Sequence, residues 1–276
     1  MHLIWRRLAP TLLGVGVLAA GCARPKRPAP SAPGDPNVLT AYVACALAPA
    51  IQAACGKFEA ANPGKSVKIE SGESAALVRK IEGGAAPDVF ICIGDSESGL
   101  LEREGFMDTS LRRSVGSFGL ALARPAAKPQ LARPDDLASD RIRSIAMPLA
   151  GVTSLGTDAK HALDRMGLWS KVESKLALRQ SGAEALAALA KGDADAGVIY
   201  DPCPLLKLEG KIAAGSVASG PALTYPSARP IAVEMGIHKR GPRTQLAQKL
   251  IAFIRSDEMK SDLAAAGIPT GEKKPG

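Results

Sequence analysis

From Val38 onward, apolar positions switch between a two-residue and a 3.6-residue period. Val38 to Val43 is a short β-prone run, and Leu47, Ile51, Cys55 and Phe58 then recur at helical spacing until Asn62-Pro63-Gly64 ends the helix. Val67 to Ile69 predicts a second strand. Ser74 predicts the N-cap of a helix that carries Leu77 and Ile81 and stops at Gly83-Gly84. Asp88 to Ile93 is apolar on both faces, the pattern of a buried parallel strand, and Ser98 to Glu104 predicts a helix closed by Gly105. The alternation continues with strands at Gly119 to Ala123, Ile142 to Met147 and Gly197 to Tyr200, separated by helices near 157 to 166 and 182 to 191. Ile231 to Gly236 then precedes an amphipathic helix, Thr244 to Arg255. Such an order predicts an α/β protein with helices on both faces of mostly parallel sheets. No sequence repeat relates its two halves.

The chain ahead of Val38 follows different rules. Residues 1 to 7 end in Arg6-Arg7, Leu8 to Leu18 are apolar apart from Pro10 and Thr11, and Ala19, Ala20 and Gly21 precede Cys22. This is the layout of a secretory signal peptide over residues 1–21, and its uncharged stretch 8–21 is too short to span a bilayer. Leu18-Ala19-Ala20-Gly21-Cys22 resembles a bacterial lipobox, with its leucine four residues before the cysteine where the usual pattern has three. The resemblance implies that Cys22 is lipidated and becomes the first mature residue. Residues 23–36 hold five prolines and no large apolar side chain, so 22–36 is expected to be an extended tether. Lipid, tether and folded body together predict a protein anchored at a membrane surface of the bacterial cell envelope.

With 276 residues, 46% apolar and 22% charged, the chain can bury the core of one large domain or two ordinary ones. Only ten residues are aromatic, which argues against nucleic-acid binding by base stacking. Of the net charge of +8, two units lie in the leader and a net two in the tether, leaving +4 for residues 37–276. That mild excess suits a small anionic ligand.

Four blocks resemble the periplasmic substrate-binding proteins of molybdate and tungstate ABC transporters. Thr40-Ala-Tyr-Val-Ala-Cys-Ala-Leu47 is similar to the first strand and ligand loop of that family. Ser74-Ala-Ala-Leu-Val-Arg-Lys-Ile-Glu-Gly83 with Pro87-Asp-Val-Phe-Ile91, then Ala159 to Trp169, then Ala194 to Tyr200, match further blocks in the same order over about residues 38 to 255. The resemblance implies the two-lobe periplasmic binding protein fold of class II. Lobe 1 would be 37–116 with 230–276 and lobe 2 would be 117–229, with crossing strands Ser117 to Arg124 and Arg229 to Met235 as the hinge. It further implies a non-enzymatic monomer without cofactor, binding one small oxyanion between the lobes for a membrane permease. Open parallel sheets place ligands beyond the carboxyl ends of their strands, where helix N-termini offer unpaired N–H groups. Carried over position by position, Ser74 and Tyr200 match ligand-binding residues. Ala46, beside Cys45, stands where the family has a serine; Ser154-Leu155-Gly156 replaces Pro-Ala-Gly; and Gly182 replaces a valine.

The cysteines after Cys22 leave several readings open. Cys55 lies on an apolar helix stripe, on the order of 15 Å from Cys45, and reads as a small buried hydrophobe. In the strand order 2-1-3 implied by the resemblance, Cys45 and Cys92 end neighbouring strands, with Cys203 facing them from the other lobe. A Cys45–Cys92 disulfide, or a soft, thiol-seeking ligand site of Cys45, Cys92 and Cys203, both follow. A rival class is weaker: Gly94-Asp95-Ser96 with Asp158 to His161 superficially resembles the serine and histidine blocks of GDS-type esterases, but in the wrong places along the chain. A tethered adhesion or scaffold module is a third class. No P-loop, complete G-x-G-x-x-G, H-E-x-x-H or CxxC occurs.

Overall fold

The computed structural model describes residues 35–207, 213, 215–226 and 228–270. The expected leader, the lipidation site Cys22 and the tether up to Gly34 lie outside the described residues. Among the described residues no helix is long and apolar enough to cross a membrane.

The first lobe opens with β1 (Val38–Ala44), α1 (Ala48–Ala61), β2 (Ser66–Gly72), α2 (Ser74–Glu82), β3 (Val89–Ile93) and α3 (Asp95–Arg103). A long strand, β4 (Arg113–Pro125), leads to β5 (Ile145–Pro148), α4 (Ser154–Arg165), α5 (Trp169–Val172), β6 (Leu176–Arg179), α6 (Gly182–Lys191), β7 (Ala196–Asp201) and β8 (Val217–Ala222). The chain then returns through β9 (Ile231–Ile237) to α7 (Thr244–Ile254) and α8 (Asp257–Ala265).

The strands run in the order β2-β1-β3-β9-β4-β7-β5-β6, with β8 paired to β4. β1 is parallel to β2 and β3, and β5 is parallel to β6 and β7, so each half has a parallel core closed by antiparallel strands. β4 joins them: Arg113 to Phe118 pair with β9, and Gly119 to Ala123 pair with β7. Two α/β lobes therefore share one strand, as the family resemblance implies. The second crossing differs from the expectation. The ladder of β9 begins only at Ile231, and the preceding segment contains Pro226 and Pro230, which have no N–H to donate to a ladder.

All five residues of β3 are buried, which agrees with its two apolar faces. One side packs with α1, whose Ile51, Ala54, Cys55 and Phe58 are buried; each large side chain of this kind contributes about 1.5–3 kcal/mol of burial. The other side holds Tyr42, Leu77, Ile81, Phe90, Cys92 and Leu101. Gly116 is required by a close approach: a Cβ there would lie 1.8 Å from the carbonyl oxygen of Pro269, where the C-terminal segment crosses β4.

Four elements lack a sequence signal: β6, β8, α5 and α8. β4 also extends beyond Gly119 to Ala123, because tertiary pairing recruits the Ser- and Gly-containing stretch Arg113 to Phe118 despite its weak β-propensity. Ser74 is the first residue of α2, not its N-cap; extended Glu73 (φ −63°, ψ 135°) holds the cap position without a side-chain capping bond.

Candidate functional site

Both lobes wall a cavity of about 40 Å³. That is room for roughly three water-sized bodies, the scale of a small ion and not of a sugar or peptide. Lobe 1 contributes Cys45, Ala46, Glu73 and Ser74, and lobe 2 contributes Ser154, Leu155, Gly182, Tyr200 and Cys203. Every member of the sequence-derived set Ser74, Tyr200, Ala46, Cys45, Leu155 and Gly182 is thus on one wall or the other.

Four helices begin here. Ala46 precedes α1, Ser74 opens α2, Ser154 and Leu155 open α4, and Gly182 and Ala183 open α6. A helix cannot satisfy its first N–H groups internally, so the starts of α2, α4 and α6 present donors and the positive end of a dipole, whereas α1 offers mainly its dipole, since Pro49 has no N–H and the Ala48 N–H donates to the Cys45 carbonyl at 3.4 Å. Caps on the lobe 2 helices engage a later amide: Thr153 Oγ1 accepts from Gly156 N (2.9 Å) and Ser181 Oγ accepts from Glu184 N (3.1 Å). The first amides of α4 and α6 are left for the cavity, while α1 and α2 have no side-chain cap. Gly156 sets the seat of α4, since a Cβ there would stand 2.4 Å from the Pro148 carbonyl oxygen at the end of β5.

The side-chain chemistry is acidic. The Tyr200 hydroxyl donates to Asp158 Oδ2 (3.5 Å), the Ser154 hydroxyl crosses between lobes to Glu97 Oε1 (2.7 Å), and the Cys45 thiol donates to Glu73 Oε1 (3.4 Å). Glu97 Oε2 is buried without a hydrogen-bond partner. Burial, then the nearby charges of Glu97 and Asp95, push the Asp158 carboxyl up to about 7. Burial and then Glu184 and Glu97 raise Glu73, with the Cys45 contact opposing them. Tyr200 is raised well above its ordinary value by burial and by Asp158, Glu97 and Glu73. Burial followed by Glu73 pushes Cys45 up to about 12, and burial also raises Cys203. None of the described residues lining the cavity is Lys, Arg or His.

The three-cysteine reading requires correction. Tyr42 pairs with Phe90 and Val43 with Ile91, so alternation along β3 sends Cys92 to the face of Tyr42 and Leu77, while Ile93 reaches the cavity. The Cys92 thiol instead contacts the Gly94 carbonyl oxygen at 3.5 Å. Cys45, Cys55, Cys92 and Cys203 are all free thiols, so the Cys45–Cys92 disulfide is absent. Among the described residues no group of three or more His, Cys, Asp or Glu side chains is arranged to hold a metal ion. Cys45 and Cys203 remain in the cavity wall, and burial raises both thiols above the ordinary cysteine value.

A larger groove of about 600 Å³ lies beside the cavity, lined among others by Asp95, Arg112, Asp158, His161, Arg229 and Glu234. Arg112 is tied to Glu102 and Glu234 (3.2 and 3.0 Å), and exposed His161 packs edge-on against Tyr225 at 5.8 Å. Ser96, the esterase candidate, is exposed on α3. Sequence reasoning missed Glu73 and Glu97 at this site; Glu73 adjoins the Ser74 block, whereas nothing local marks Glu97.

A mixed sheet divided into two lobes by a shared strand, with a small cavity walled by both, defines a two-lobed solute-binding protein. The chain belongs to the bacterial extracellular solute-binding protein family, whose sequence profile matches residues 39–268. It is similar to the molybdate-binding protein ModA of Haemophilus influenzae, 23% identical over 83% of this chain and 89% of that protein. It is also similar to the putative ABC transporter substrate-binding lipoprotein YvgL of Bacillus subtilis, 24% identical over 88% of this chain and 89% of that one. The periplasmic molybdate-binding protein of Azotobacter vinelandii shares the fold, with a TM-score of 0.69 and 24% identity over 85% of this chain and 100% of that one.

Proposed function

We propose that this protein is the extracytoplasmic solute-binding component of an ABC transporter, which captures a small tetrahedral oxyanion between its lobes and delivers it to a membrane permease without acting on it chemically. The observation that carries this reading is the convergence of four helix N-termini on one ion-sized cavity walled by both lobes. Similarity to molybdate-binding proteins supports the same ligand class. Lobe 1 (37–116 with 230–276) and lobe 2 (117–229) act as two rigid bodies that close over the ligand, and the closed monomer is the form a permease recognises. Cys22 carries the lipid that holds the protein at the envelope, a role supported by the similarity to YvgL.

Calorimetry of the purified protein against molybdate, tungstate, sulfate and phosphate, with small-angle scattering, tests the ligand. Saturable heat with at least one ion and a smaller radius of gyration are expected; no heat with any of them overturns the oxyanion reading. Cys22→Ser should shift the protein from the membrane to the soluble fraction or block leader removal. An unchanged membrane fraction overturns the anchor.

A further inference from the structure

Three side-chain donors around the interlobe cavity have their protons engaged by carboxylates. Ser154 gives its proton to Glu97 at 2.7 Å, Tyr200 to Asp158 at 3.5 Å and Cys45 to Glu73 at 3.4 Å. A hydroxyl whose proton is engaged offers only lone pairs to a ligand, and an ionised carboxyl offers nothing else. The cavity therefore has two unlike sides. Backbone N–H groups at the helix starts, joined by the Ser74 hydroxyl, form a donor side. Tyr200, Ser154 and Glu73 form an acceptor side, with the unpartnered Glu97 Oε2 behind it.

A bare oxyanion satisfies only the first side. All its oxygens are acceptors, so against Tyr200 and Glu73 it leaves buried lone pairs facing lone pairs, with no cationic side chain in the described lining to offset its charge. On the reading that this cavity holds an oxyanion, we propose that its ligand is a tetrahedral oxyanion bearing its own O–H group, of the hydrogen phosphate, hydrogen arsenate or phosphonate class, in preference to fully deprotonated sulfate, molybdate or tungstate. The ligand O–H donates to the Glu73 carboxylate or the Tyr200 oxygen, and its bare oxygens accept from the helix amides. The hydrogen phosphate and hydrogen arsenate dianions carry the same charge as sulfate or molybdate, so the donated O–H, not the net charge, makes the difference. Glu73, next to the α2 start and inside the cavity wall, is the residue that sets this preference.

Calorimetric titration of the intact protein with inorganic phosphate, arsenate, sulfate and molybdate, at neutral pH and constant ionic strength, tests the proposal. Phosphate and arsenate should bind at least about 100-fold more tightly than sulfate and molybdate, since a site built to pair a ligand hydroxyl rejects the analogue that lacks it. Glu73→Gln, whose amide can donate to a bare oxygen, should shrink that ratio about tenfold or more by strengthening sulfate binding; a thermal melt confirms that the variant is folded, and Glu97→Gln should act in the same direction. Sulfate or molybdate binding as tightly as phosphate overturns this inference and leaves the oxyanion reading standing. A phosphate preference unchanged in both variants also overturns it. No binding of any of the four ions overturns the oxyanion reading itself.

Discussion

Asp88 and Asp158 are both withdrawn from water, and their surroundings are opposite. The Asp88 side chain, 1% exposed, takes both Nη1 contacts of Arg243 (3.1 and 3.0 Å) and the backbone N–H of Thr40 at 2.8 Å. It locks the start of α7 to the strands β1 and β3, and its charge is matched where it sits. Asp158 meets one phenol at 3.5 Å and otherwise faces Glu97 and Asp95. A paired buried carboxylate holds a fold together, whereas a buried carboxyl that no cation contacts is pushed toward its neutral form. The first arrangement is complete by itself; the second leaves a carboxyl with a single hydrogen-bonding partner.

Breaking the paired side should have the largest effect. Asp88→Ala leaves the partly buried Arg243 guanidinium uncompensated and frees the Thr40 amide, so denaturant unfolding should show a loss of about 3–5 kcal/mol. A loss below about 1 kcal/mol would remove the contrast with Asp158.

The unpaired side should respond to pH with the reverse sign. Because the folded pKa of Asp158 is raised from 3.8 to about 7, the folded state holds an extra proton through that window. The unfolded state binds fewer protons there, so stability falls as pH rises from about 4 to about 7. Asp158→Asn keeps an acceptor for Tyr200 but removes the titration. It should be about 1–2 kcal/mol more stable than the wild type near pH 8, with little difference near pH 4. Parallel stability curves for the two proteins would show that Asp158 does not titrate in the strained setting described here.

The smallest effect separates two cysteines one residue apart in β-sheet register. Cys92→Ala removes a sulfur packed against Phe90 and Leu77 and should cost about 1 kcal/mol while leaving ligand affinity unchanged. Cys45→Ala, in the cavity wall, should change affinity severalfold with a smaller cost in stability. Loss of ligand binding in Cys92→Ala would return its sulfur to the site.

These residues also mark what the sequence made legible. The alternation from β1 to α3 is local: each strand is a short apolar run and each helix an apolar stripe ended by Gly or Pro, so periodicity reads them directly. The cavity positions Ser74, Leu155, Gly182 and Tyr200 came from the family resemblance, carried over position by position, and they lie at helix starts or near a strand end, where an open α/β sheet gathers its ligand. Cys92 was misplaced for want of parity: proximity of two strand ends was read, but the alternation that turns Cys92 away from Ile93 was not. The acid cluster is a different case. Ser154 meets Glu97 across 57 positions and between the lobes, and Tyr200 meets Asp158 across 42 within lobe 2, so neither pairing exists until distant elements pack. The crossing strand is similar, since Arg113 to Phe118 become a strand through β9 and not through their own composition.

The measurement that bears most directly on the central claim is a crystal structure of the protein grown with arsenate, whose anomalous signal marks the ion. The account predicts one peak inside the interlobe cavity, within hydrogen-bond reach of the Ser74 and Gly182 amides on one side and of Glu73 or Tyr200 on the other. A peak confined to the neighbouring groove beside Arg112 and His161, with the cavity empty of arsenate, would contradict it.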